Sequence, residues 1–145
     1  MGPARVSDLP QLAALLQILF REEAEFTPDE AKQRAALGAI LGDAARGRIY
    51  VAREGERVLA MASLLFTLST AEGGKAAWFE DLVVLPEHRR RGIGSALLGF
   101  VIREARREGV LRLTLLTDSA NERAQALYRK LGFTPSSMKP MRLRL

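Results

Sequence analysis

Seven consecutive residues, Arg89-Arg90-Arg91-Gly92-Ile93-Gly94-Ser95, set three guanidiniums beside two glycines one residue apart. Glycine at 92 and 94 lets backbone N–H groups approach a ligand closely. An apolar helical pattern begins at Ile93, so a helix N-terminus adds unsatisfied donors and a positive dipole end. Full charges and backbone donors together suit a phosphate or pyrophosphate. Rival patterns fit less well. A dinucleotide fingerprint needs Gly-x-Gly-x-x-Gly after a first strand, whereas position 97 is Leu and this loop lies deep in the chain. The Gly-Lys-Ser/Thr of a P-loop is absent. A nucleic-acid stripe from Arg89, Arg90 and Arg91 with Arg103, Arg106 and Arg107 has no stacking aromatics or helix-turn-helix beside it. Glu104 and Glu108 interleave its second half, as on an ordinary solvated face. A tight connection without a ligand remains the plainest alternative.

Composition narrows the rest. The chain has 145 residues, 48% hydrophobic and 27% charged, which fits one globular domain over 1–145. A domain near that length buries roughly 68–70% of its unfolded surface, enough for a proper core. Absent cysteine excludes thiol catalysis, Cys-based zinc sites and disulfides, and fits a reducing cytoplasm. The single histidine, His88, excludes any site with two His ligands, so no metal is expected. A net charge of +5 permits an anionic partner without demanding one. Leu12–Phe20 is too short to span a bilayer, and Arg21-Glu22-Glu23 follows it where a signal peptide would place small residues.

The elements that must position the loop follow from periodicity. Leu12, Leu15, Leu16 and Leu19 give a helix over Leu9–Phe20. Thr27-Pro28-Asp29-Glu30 reads as a second helix start, with Thr27 as cap and Pro28 at the first position, running to about Gly42 or Arg46. Arg48–Arg53 and Arg57–Leu68 read as strands joined at Glu54-Gly55-Glu56. Lys75–Leu85 is a third strand, stopped by Pro86. Ile93, Ala96, Leu97, Phe100, Val101 and Ala105 mark one face of a helix from Ile93 to Glu108, ended by Gly109. Val110–Thr117 is a strand, and Ser119 with Glu122 offers a capping box for a short helix to Leu131. Phe133 opens a final strand region, in which Met141, Leu143 and Leu145 alternate with Arg142 and Arg144 to give one buried face. Tight turns make the first strands antiparallel. The crossover through Ile93–Glu108 makes its two strands parallel and right-handed. The expectation is a mixed α/β (α+β) fold with helices on both faces of the sheet.

Two segments of this order resemble one known family. Val84-Leu85-Pro86-Glu87-His88-Arg89-Arg90-Arg91-Gly92-Ile93-Gly94 resembles the acetyl-CoA motif of the GNAT superfamily of N-acetyltransferases. That motif is Arg/Gln-x-x-Gly-x-Gly/Ala behind a strand ending near Val-x-Pro, and Arg89, Gly92 and Gly94 match it. The segment from Asn121 through Ala124 and Tyr128 to Leu131-Gly132-Phe133 resembles the family's second signature. With the Asp8-Leu9-Pro10 helix start, the resemblance covers nearly the whole chain. Two departures stand out. Only Met1-Gly2 precedes Pro3-Ala4, so the family's first strand is short or missing. Leu116 occupies a place where some protein-terminus acetyltransferases carry Glu.

The resemblance implies a mostly antiparallel central sheet, splayed at the cofactor site, and transfer of acetyl from acetyl-CoA to a primary amine of a small molecule or peptide by direct attack. Its pyrophosphate would meet the backbone of Arg90 to Ser95, including Arg91, Gly92, Ile93 and Gly94, with Arg89 heading the motif. The pantetheine arm would add like a strand to Leu82, Val83 and Val84. Tyr128 resembles the family's proton donor to the departing thiolate, and Asn121, seven residues earlier, would help hold the cofactor. A core aromatic is the alternative for Tyr128. Glu80, a carboxylate in an apolar stretch of that strand, is the base candidate, because partial desolvation raises a carboxyl's pKa. Its alternatives are a solvent-facing residue or a charge partner for the amine. Glu25 and Phe26, in the joint after the first helix, are candidates for the acceptor pocket. A CoA-binding sensor or scaffold without catalysis is the competing function. Neither nucleic acid nor membrane is expected as a partner, and the short outer strands leave edges that a homodimer could cover.

Overall fold

The computed structural model describes residues 1–22, 27–143 and 145. Five strands form one sheet in the order β1-β2-β3-β4-β5: β1 (Gly2–Pro3), β2 (Gly47–Glu54), β3 (Arg57–Ser69), β4 (Gly74–Val84) and β5 (Arg112–Leu115). The first four pair antiparallel, and β4 pairs parallel to β5. The helices are α1 (Leu9–Glu22), α2 (Glu30–Gly42), α3 (Ile93–Arg107) and α4 (Glu122–Lys130). The mixed, mostly antiparallel fold expected from the sequence is the one observed. The family's first strand is present, reduced to two residues paired with Tyr50 and Val51.

Each face of the sheet buries one helix layer. Leu12, Leu15 and Leu16 of α1 and Leu37 of α2 pack on Ile49, Val51, Val58, Met61 and Val83. On the other face Leu97, Leu98, Val101 and Ala105 of α3 pack on Ala60, Ala62, Leu64, Ala77 and Phe79. Each fully buried Leu or Val contributes about 1.5–3 kcal/mol of apolar transfer, so these stripes hold the helices to the sheet. The buried line on α3 runs through Leu98, while Ala96 faces solvent. Asp8, only 3% exposed, accepts from Arg53 Nη1 and Nη2 at 3.1 and 2.7 Å and from the Arg5 N–H at 2.7 Å, fastening the start of α1 to β2.

Three local expectations need correction. Asp29, not Thr27, caps α2: its Oδ1 accepts from the Lys32 N–H at 3.2 Å, while Gln33 Oε1 accepts from the Asp29 N–H at 3.1 Å. The helix therefore starts at Glu30, beyond Pro28. Asn121, not Ser119, caps α4, because its Oδ1 accepts from the Ala124 N–H at 3.0 Å. Among the described residues no strand follows α4: Met138, Met141 and Leu143 are 82%, 95% and 86% exposed. Alternation supplies a face for a strand, but a strand also needs an edge to pair with, and this segment lies on none.

Candidate active site

The register of β3 on β4 shifts at one place. Ala62 faces Leu82 and Leu64 faces Phe79, so Ser63 alone opposes both Glu80 and Asp81. This β-bulge inverts the alternation along β4. Phe79 and Leu82 both belong to the α3 face, while Glu80 and Asp81 both turn toward α1 and α2. There they form the floor, with Ser63, of a cavity of about 300 Å³ walled by Leu16, Phe20, Leu37, Ile40 and Leu65.

The two carboxylates sit in different surroundings. Asp81 Oδ2 accepts from the Ser63 hydroxyl at 2.6 Å, and its own N–H donates to Ser63 Oγ at 3.3 Å. Burial pushes the Asp81 carboxyl above the usual carboxylate range; the Ser63 bond pulls it back in part, and the charge of Glu80 raises it further. Glu80 is exposed. The desolvation expected of Glu80 therefore falls on its neighbour. Strict alternation would have sent Asp81 to the opposite face, which is why sequence reasoning passed over it, along with Ser63. The available signal was two adjacent acids in an otherwise apolar strand.

Beyond the bulge the sheet opens. β4 and β5 pair only over Ala76–Phe79 and Arg112–Leu115, whereas β4 runs on to Val84. The Leu85 N–H donates to the Leu59 C=O at 2.9 Å. Bonded and non-bonded pairs alternate in an antiparallel ladder, so Leu82 and Val84 aim their main-chain groups away from β3, into the splay, and Val83 aims its own at Met61. An extended chain could pair there.

The glycine loop closes the upper end of the splay. Pro86–His88 forms a 3₁₀ turn; Arg90 then takes φ +64° and Gly92 φ +78°, and α3 starts at Ile93 with no side-chain cap. Left-handed residues near a helix start gather successive N–H groups into an anion-binding concavity, and the first-turn donors of Ile93, Gly94 and Ser95 face it. A Cβ on Gly94 would lie 3.4 Å from Val84 Cγ2, so the first turn of α3 rests against the end of β4. The arginines divide. Arg89 turns inward: its Nε donates to the Val84 C=O at 3.0 Å, and its Nη atoms grip the Glu22 carboxylate at 2.9 and 3.2 Å. That side chain braces the loop against α1. Arg91 Nη1 lies 3.1 Å from Nδ1 of the buried His88, and Arg90 is exposed at the surface.

On the α3 face Tyr128 is half-buried, edge-on to Phe79 at 6.4 Å and to Phe133 at 5.9 Å between ring centroids. Phe79 is the last β4 residue before the bulge, so Tyr128 and Asp81 flank the opening from opposite faces of the sheet. Asn121, exposed, serves as the α4 cap described above. Glu25 and Phe26 lie outside the described residues. Among the described residues no group of three or more His, Asp or Glu could hold a metal ion, and no helix is long and apolar enough to cross a membrane.

Known acetyltransferases are among the proteins that this chain resembles in sequence and fold. The Escherichia coli ribosomal protein bS18-alanine N-acetyltransferase is 29% identical over 104 residues, 63% of this chain and 66% of the relative. The thialysine N-epsilon-acetyltransferase of Bos taurus is 35% identical over 79 residues, 54% of this chain and 46% of its own. The chain thus spans two thirds or less of the curated relatives' lengths. An integron cassette protein from a salt-marsh metagenome superposes with a TM-score of 0.86 at 27% identity, covering 99% of this chain and 89% of that one. A Clostridium acetobutylicum protein solved with acetyl-CoA shares the fold, with a TM-score of 0.79 at 17% identity over 97% of this chain and 92% of that one. The family model of the Acetyltransferase (GNAT) family matches residues 10–133, and the chain belongs to that family.

Proposed function

We propose that this protein is an acetyl-CoA-dependent N-acetyltransferase acting on a primary amine in a ternary complex. The observation that carries this reading is the bulge, which turns a half-buried carboxylate with a raised pKa toward an open-sided cavity beside the opening of the sheet. A protein that only held the cofactor would need the splay and the loop but no half-buried acid facing a cavity.

The residues present fit acetyl-CoA. Backbone donors from Arg90 to Ser95 would meet its pyrophosphate, and the outward main-chain groups of Leu82 and Val84 would pair with its extended arm. When bound, it supplies an activated acetyl group and a thiol leaving group. Arg89 keeps the loop in place through Val84 and Glu22 rather than through the ligand. Asn121 fixes the start of α4 and hence where Tyr128 stands.

The chain's own groups divide the proton work. An amine enters as a cation, and exposed Glu80, beside Asp81 on the cavity floor, attracts it. Asp81, with its raised pKa, accepts the proton that makes the amine nucleophilic, and Ser63 holds the carboxylate in one orientation. Tyr128, on the other face of the sheet, would be the group to give a proton to the departing thiolate. The test is direct. Calorimetry should show acetyl-CoA binding, and free thiol should appear only when a primary amine is added. Binding without amine-dependent thiol release would favour the scaffold reading.

A further inference from the structure

We propose that the acceptor is a primary amine carried on an uncharged, apolar body of about ten non-hydrogen atoms, rather than a peptide terminus or a long-chain diamine. This rests on the transferase reading and asks what the cavity beside Asp81 can hold.

The size follows from the volume. About 300 Å³ accommodates about ten non-hydrogen atoms if each is given a water's share of roughly 30 Å³. The polarity follows from the walls. Leu16 and Phe20 of α1, Leu37 and Ile40 of α2 and Leu65 of β3 present only carbon. The helices satisfy their own N–H and C=O groups, so α1 and α2 offer a peptide backbone nothing to pair with, and each peptide unit placed between them would lose its hydrogen bonds to water.

The charges among the described lining residues sit in two places only. Glu80 and Asp81 are adjacent on the bulge, so they serve one ammonium, or two only if these are a few ångströms apart. A second ammonium four or five carbons away would lie among Leu37, Ile40 and Leu16. Lys32 is the one cation among the described lining residues, and its ammonium lies out in solvent, 3.4 Å from Asp29 at the α2 cap. An acceptor carboxylate brought to the cavity floor would instead meet Glu80 and Asp81, which repel it. One cationic end and an apolar remainder is the chemistry these walls admit.

The experiment compares kcat/KM, read as thiol release from acetyl-CoA, for n-alkylamines from propylamine to dodecylamine, 2-phenylethylamine, 1,5-diaminopentane and alanylalanine amide. We expect about a fourfold gain per added methylene until the cavity fills. 1,5-Diaminopentane should fall roughly 100-fold or more below pentylamine, because its far ammonium is desolvated without a partner. A second arm uses Ile40→Glu, which places a carboxylate on the far wall and should improve 1,5-diaminopentane relative to pentylamine at least tenfold. Preference of the wild type for the dipeptide amide or the diamine, or a flat response to chain length, overturns the proposal and leaves the transferase reading standing. No thiol release with any amine overturns that reading itself, and this proposal with it.

Discussion

Replacing Asp81 by Asn separates the two things its carboxyl does. The side chains are nearly isosteric, and an amide oxygen can still accept from the Ser63 hydroxyl, which lies 2.6 Å from Oδ2 in the native protein. The packing is therefore retained while the proton acceptor is lost. Removing a general base costs about 10²–10⁴-fold in rate, or roughly 2.7–5.4 kcal/mol of transition-state stabilisation. The effect on stability has the opposite sign. Burial holds the Asp81 carboxyl above its ordinary pKa, so between the ordinary and the raised value the folded state binds more protons than the unfolded state. Wild-type stability then declines as pH rises through that interval and stays lowered above it. Asn carries no such cost, so the variant should melt higher than wild type at neutral pH, by about 2–4 °C per kcal/mol recovered, and the difference should shrink below pH ~4. Steady-state thiol release and thermal melts from pH 3.5 to 8 read both quantities. Turnover within a few-fold of wild type would remove Asp81 from the chemistry. A lower melting temperature at neutral pH would refute the burial argument.

Four further outcomes are expected. Glu80→Gln should raise the amine KM about two- to fivefold, as for an exposed charge pair, with kcat nearly unchanged; a collapse of kcat would return the base role to Glu80. Tyr128→Phe keeps the ring against Phe79 and Phe133 and should lower kcat roughly 10²–10⁴-fold, the general-acid range, without weakening acetyl-CoA binding in calorimetry. Gly94→Glu places a carboxylate at the phosphate cradle, beside Val84, and should weaken acetyl-CoA roughly 100-fold or more through like-charge repulsion, with an unchanged circular dichroism spectrum. Asp8→Asn leaves the half-buried Arg53 without its charge partner and should cost about 3 kcal/mol in denaturant melts. Because the Arg53 hydrogen bond holds Asp8 below the ordinary carboxylate range, wild type should lose this contribution progressively as pH falls from the ordinary carboxylate value to that lowered value, and the variant should lack that acid-side decline.

Local chemistry in the sequence determined most of the frame. The leucines of α1 and the stripe of α3 announce helices because a 3.6-residue period is a property of one segment alone. Gly92 and Gly94 before Ile93 announce an anion cradle for the same reason: the turn and the helix start lie within a few residues. The strand order followed from tight turns and one crossover. What the sequence could not contain is any property that belongs to two segments at once. The bulge exists only where Ser63 meets β4, yet it decides which face Asp81 occupies and so moves the desolvated carboxylate one residue from where alternation put it. Arg89 reads as a free cation next to a phosphate loop, but Val84 and Glu22, the latter 67 residues away in the chain, claim its guanidinium. Thr27 and Ser119 are sound caps by composition, and Asp29 and Asn121 displace them because the chain's path places those oxygens over the first free N–H groups. Met141 and Leu143 carry a strand's pattern without a strand, since alternation specifies a face and only a neighbouring edge supplies the hydrogen bonds. Periodicity is encoded residue by residue, whereas register, burial and ion pairing depend on which distant segment arrives alongside.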